Sequence, residues 1–154
     1  ISPTAFSLVF ALNSVAMLAG SQLSGFLVRR TGPARMYLAA LVISLVGAVA
    51  LTGTALAGAT FVVFAAVLCA TMFTTGLSGP NSSTLALEHH GSRAGTASSI
   101  YGVASFGVGP IVVPVISLLG ATALTLAVTM LVTAVIACAI GWTVLRRELL
   151  RNAR

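Results

Sequence analysis

Few side chains in this sequence could do chemistry, and their spacing argues against most of what they could do. The acids are Glu88 and Glu148, the histidines are the adjacent pair His89 and His90, and the cysteines are Cys69 and Cys138. A metal centre needs three or four converging ligands, whereas adjacent histidines at a helix end point in different directions and have no third ligand near them. The cysteines stand alone in apolar runs, without metal or redox spacing, and read as small core residues. Catalysis by a nucleophile and base needs the two held together at depth, and no Asp, Glu or His falls inside an apolar run to supply the base. No enzyme, metal site or cofactor is therefore expected. What remains is recognition by amides, hydroxyls and a thioether, with Asn13, Asn81, Ser78 and Met72 as the candidates.

The elements that must hold these residues follow from composition. Of 154 residues, 58% are hydrophobic and 6% charged, and the mean hydropathy is +1.09. Soluble domains carry about 25% charged residues. So little charge cannot solvate the surface of a globule this size, and most of the outside must face lipid. The fold class expected is an all-α polytopic membrane protein. Five spans are read, at 4–28, 36–57, 59–87, 95–119 and 121–145. Each has the roughly 20 residues that cross about 30 Å of hydrocarbon. Ser2-Pro3 is a cap followed by a helix-starting proline, and Gly32-Pro33 punctuates the first turn. Pro80 in the third span, and Pro110 with Pro114 in the fourth, should bend those helices.

Charge orients the spans. Arg29, Arg30 and Arg35 flank the first connection and Arg93 the third, while Arg146, Arg147, Arg151 and Arg154 crowd the end of the chain. The second and fourth connections carry no charge. The positive-inside bias puts the charged connections and the C-terminus in the cytoplasm and the N-terminus outside. The net charge of +6 is thus membrane topology, and no nucleic-acid partner is expected. The chain begins at Ile1 without an initiator Met and is expected to be a piece of something larger.

An amide in hydrocarbon needs a partner, so Asn13 and Asn81 should each meet another helix or a watery cavity. Asn81 has two readings: with Ser78 and Met72 it lines a substrate path along the third span, or it satisfies carbonyls freed by Pro80. Asn13 reads first as structural and second as part of that path, and Gln22 as interfacial. Small residues mark packing. Gly95, Ser98, Gly102, Ser105 and Gly109 form one seam at alternating spacings of three and four, and Ala16, Gly20 and Ser24 form another. On this pattern the first, third and fourth spans make the packed interior, and the second and fifth face lipid. Thr122, Thr125, Thr129 and Thr133 share one helical face, where threonine usually bonds its own preceding turn.

Three stretches resemble the major facilitator superfamily, and within it the Bcr/CflA-like multidrug efflux branch. They are residues 2–14 (SPTAFSLVFALNS), 25–35 (GFLVRRTGPAR), and 80–87 (PNSSTLAL) with 93–99 (RAGTASS). The likeness is to helices eight to twelve of such a protein, and covers essentially the whole chain. The second stretch resembles the superfamily's glycine- and arginine-rich loop: Gly25, Leu27, Arg30 and Gly32 match, while Arg29 stands where an Asp is usual. Ser105, Gly109 and Pro110 faintly resemble the antiporter motif, with Ser105 in place of its leading glycine and Val113-Pro114 in place of two later ones.

What the resemblance implies is a partial C-terminal six-helix bundle of a secondary active transporter in the inner cell membrane. The implied partners are the missing N-terminal half of the same chain, the lipid bilayer, a small-molecule substrate and protons. The activity implied is drug or small-molecule efflux by alternating access. Import of a metabolite, or a non-transporting subunit or anchor, are the alternatives. A coupling carboxylate would have to come from outside these residues, because Glu88 and Glu148 both lie at span ends.

Overall fold

Ser2 and Pro3 open the first helix as their chemistry requires: the Ala5 amide donates to Ser2 Oγ at 3.2 Å, and Pro3 takes the first helical position. The computed structural model describes residues 2–88, 93–118, 120 and 122–152. Five helices follow in order: α1 (Pro3–Thr31), α2 (Pro33–Leu56), α3 (Phe61–Leu87), α4 (Ala94–Leu118) and α5 (Ala123–Asn152). All five contain stretches long and apolar enough to cross a membrane. Gly32 joins α1 to α2 with φ of 79°, a conformation that disfavours any side chain. α3 stays helical through Pro80, and α4 through Pro110 and Pro114.

Contacts between helices fix their directions. Ser24 meets Leu77, Asn81 meets Ser24, and Cys69 meets Leu12, all at sequence separations of 53 to 57, so α1 and α3 run parallel in a nearly constant register. The Thr52 hydroxyl lies 3.4 Å from the Ala127 carbonyl, and Cys138 Sγ lies 3.3 Å from that of Leu41. Eleven residues back along α2 thus match eleven forward along α5, and that pair is antiparallel. The resulting order is α1, α3, α2, α5, with α4 set beside the far end of α3 and the near end of α5.

This order corrects one expectation. α2 has an extended packed face, with Met36, Ala40, Leu41, Ala48 and Leu51 buried between α3 and α5. Its uniformly apolar composition gave no sign of a buried side, because lipid and protein interior are equally apolar. Small residues set the side instead: Ala40 and Ala48 are fully or almost fully covered, and Gly47 lies against Thr71 of α3. α4 departs the other way. A Cβ at Gly95, Gly102 or Gly109 would meet nothing within 4 Å, and Ser98, Ser105, Pro110 and Pro114 are exposed. The seam is present on one face, but among the described residues no helix packs along it.

The outward faces are strongly apolar. Phe26, Phe106 and Leu118 are 69%, 83% and 88% exposed, which only lipid or further helices would tolerate. Half of the threonine face bonds backward as expected: Thr129 donates to the Thr125 carbonyl at 2.8 Å and Thr133 to that of Thr129 at 2.9 Å, whereas Thr122, just before α5, accepts from the Thr125 amide at 3.1 Å and lies 2.8 Å from its hydroxyl.

Candidate functional site

α1 and α3 are the pair on which the polar side chains converge, and glycine makes the convergence possible. A Cβ at Gly20 would collide with the Phe73 carbonyl oxygen and lie 3.1 Å from its carbon and 3.2 Å from the Leu77 nitrogen. A Cβ at Gly76 would collide with the Met17 carbonyl oxygen and lie 3.0 Å from the Ser21 nitrogen. Two backbones therefore touch where each helix lacks a side chain, the close approach that small residues allow in membranes. The close approach lies five residues before the Gly25 of the loop motif. Gly25 itself has nothing within 4 Å of a Cβ position.

One turn beyond the glycines the contact becomes polar. Ser24 Oγ donates to the Leu77 carbonyl at 3.0 Å, and Asn81 Nδ2 donates both to Ser24 Oγ at 2.6 Å and to the Leu77 carbonyl at 2.7 Å. Ser24 and Asn81 are 1% and 2% exposed, so these bonds form out of reach of water, where an unmade one is costly. Pro80 has no N–H, which deprives the Gly76 carbonyl of its helical donor. Asn81 serves the next carbonyl along, that of Leu77. Both hydrogens of its amide are occupied, one by the neighbouring helix and one by its own.

Toward the starts of α1 and α3 the helices part around a groove of about 650 Å³. Leu8, Leu12, Phe61, Cys69 and Phe73 are among its apolar walls, and Asn13 is the amide in its lining. Asn13 Oδ1 is buried and, among the described residues, accepts no hydrogen bond. A buried carbonyl oxygen of this kind asks for a donor. The groove's walls are thus apolar, with the Asn13 amide as the polar group set behind them.

The remaining candidates are dispersed. Ser78 Oγ bonds the Thr75 carbonyl of its own helix at 3.0 Å, and Met72 is partly buried; neither lines the groove with Asn13. Arg29, Arg30 and Arg35 are exposed around the Gly32 turn, with Leu27 packed on the buried cluster of Met36, Ala40 and Leu77. Both cysteines are free thiols facing carbonyls of a neighbouring helix. No metal-binding group occurs among the described residues. His89 and His90 lie outside the described residues, as does Arg154. Sequence reasoning missed Gly76 and the Gly47–Thr71 contact. Gly76 stands 56 residues from Gly20, and nothing local pairs them; the periodic small face at Ala16, Gly20 and Ser24 was half of the signal.

The family model described as Major Facilitator Superfamily matches residues 1–152. The chain is 34% identical over 143 residues to a protein of Bacillus subtilis (strain 168) named as an uncharacterized MFS-type transporter, YdgK. That alignment covers 88% of this chain and 34% of the relative, so the chain spans about a third of the length of the protein it matches. No solved structure matches it.

Proposed function

The chain belongs to the major facilitator superfamily, and from that premise we propose that it is part of a secondary active transporter exporting small apolar molecules in exchange for protons. The observation that carries the reading is the α1–α3 groove, whose walls are apolar and whose buried Asn13 oxygen has no partner. Such a site takes molecules by shape and apolar area and orients them by one hydrogen bond. Tolerance of varied substrates follows from having so few polar constraints.

In the alternating-access cycle we assign, α1 and α3 move as one body, joined at Gly20, Gly76, Ser24 and Asn81. The seam of α4 at Gly95, Ser98, Gly102, Ser105 and Gly109 receives a helix from the rest of the protein. The charged connections face the cytoplasm and the start of α1 faces outward, with the whole in the inner cell membrane. The coupling carboxylate lies outside these residues, since Glu88 is at the end of α3 and buried acids are the usual carriers of coupled protons. The stretches at residues 2–14, 25–35 and 80–87 favour the Bcr/CflA-like efflux branch and the positions of helices eight to twelve.

Everted vesicles containing the intact protein test this. An apolar dye bearing an N–H donor should accumulate when an inward-acid gradient is imposed and stop when it is collapsed. Asn13→Leu should raise the KM for that dye and leave a donor-free analogue unchanged. No gradient-dependent uptake of any probe would point instead to a subunit or anchor. Equal effects on both dyes would remove Asn13 from the site.

A further inference from the structure

We infer that the groove between the end of α3 and the start of α4 is a binding site for one anionic glycerophospholipid, with its phosphate on Arg93 and an acyl chain along α4. The groove measures about 440 Å³ and is lined by Arg93, Ala97, Ile100, Tyr101 and Ala104 of the α4 strip, with Ala86 of α3 opposite. Residues 93, 97, 100 and 104 recur every three or four positions and so share one helical face. Arg93, at the mouth, is exposed.

Length and charge identify the occupant. From residue 93 to residue 104 is eleven residues, about 16 Å along a helix. One leaflet of hydrocarbon is about 15 Å deep, half of the ~30 Å core. The groove therefore carries a cation at headgroup level and a mainly apolar strip down to the middle of the bilayer, the dimensions of a single lipid standing upright. Ala97 and Ala104 leave room for a chain where larger residues would fill the strip. Tyr101 closes the inner wall: its hydroxyl is 2.7 Å from Ser82 Oγ, which fastens α4 to α3 at this level. A neutral zwitterionic lipid would fit the apolar strip equally, so the charge of Arg93 makes the selection. A basic side chain near a membrane surface favours anionic lipid by about fivefold in binding constant.

The test places a tryptophan in the groove and asks which lipid touches it. Ile100 is 65% exposed and Val103, outside the groove, 74%; both tolerate a larger ring. In the intact protein, with Trp142 and any other tryptophan changed to Phe, Ile100→Trp and Val103→Trp are reconstituted in phosphatidylcholine vesicles. Each vesicle set then receives brominated phosphatidylglycerol or brominated phosphatidylcholine. The expected result is quenching of the position-100 tryptophan about five times more effective for the glycerol lipid, no preference at position 103, and loss of the preference in Arg93→Gln. A preference that survives Arg93→Gln overturns the assignment of the headgroup. Equal preference at both positions means bulk charge attraction and overturns the site. Absence of quenching at position 100 by either lipid means that a helix of the same protein covers the groove, and the lipid proposal fails.

Discussion

Replacing Gly20 with Ala should separate α1 from α3, and its size can be worked from the contacts. The added methyl meets the carbonyl of Phe73 and the amide of Leu77, which are backbone atoms inside a helix and cannot swing aside. Relief requires the helices to part, and overpacking of this kind costs about 1–3 kcal/mol. With both obstacles in the backbone the upper end applies, about 3 kcal/mol. Against it stands the helix propensity of Ala over Gly, about 1 kcal/mol in an exposed position. The net loss is about 2 kcal/mol, roughly a thirtyfold change in the folded ratio. Gly53→Ala is the internal control, since Gly53 is exposed in α2 and a Cβ there meets nothing within 4 Å. It should be neutral or slightly stabilising. Reversible unfolding of the intact protein in mixed micelles compares the two directly. If Gly20→Ala unfolds at the same denaturant concentration as Gly53→Ala, the backbone contact is not a determinant of stability and the reasoning fails.

Other expectations follow from the same interfaces. Ser24→Ala and Asn81→Ala, alone and together, should show a coupling of about 0.6–1.7 kcal/mol in a double-mutant cycle; strict additivity would mean that the 2.6 Å bond between them contributes nothing. Gly47→Ala places a methyl 2.9 Å from Thr71 Oγ1, so it should destabilise, and Thr71→Ala should restore stability by removing that atom. A double variant no better than Gly47→Ala alone would locate the strain elsewhere. Gly141→Ala clashes with the end of the Leu41 side chain at 2.6 Å and makes ordinary contact with Tyr37 and Leu38; Leu41 can rotate away, so the loss should stay below about 1 kcal/mol, and a loss as large as that of Gly20→Ala would contradict the distinction between backbone and side-chain obstacles. Cysteines placed at Thr31, the last residue of α1, and at Ala57, just after α2, should react with a membrane-impermeant maleimide from opposite sides; labelling from the same side would break the proposed topology.

What the sequence determined by itself is what depends on composition and on the next few residues. Lipid as solvent follows from the near absence of charge, five helices from the length of the apolar runs, and the first helix start from Ser2 and Pro3. The backward hydrogen bonds of Thr129 and Thr133 are of the same kind, since donor and acceptor share one helix turn. Partner choice is different. In lipid no apolar face is driven inward, so periodicity that marks a buried side in a soluble protein carries no such information. α2, one of the more apolar helices here, became packed on both sides because Ala40, Gly47 and Ala48 admit neighbours. α4, with the longer glycine and serine seam, stayed open because no helix among the described residues reaches it. The pairing of Gly20 with Gly76, and the capture of Asn81 by Ser24, join residues more than fifty positions apart. Only the parallel register of α1 and α3 brings them together, and that register is a property of two packed surfaces that neither stretch of sequence contains alone.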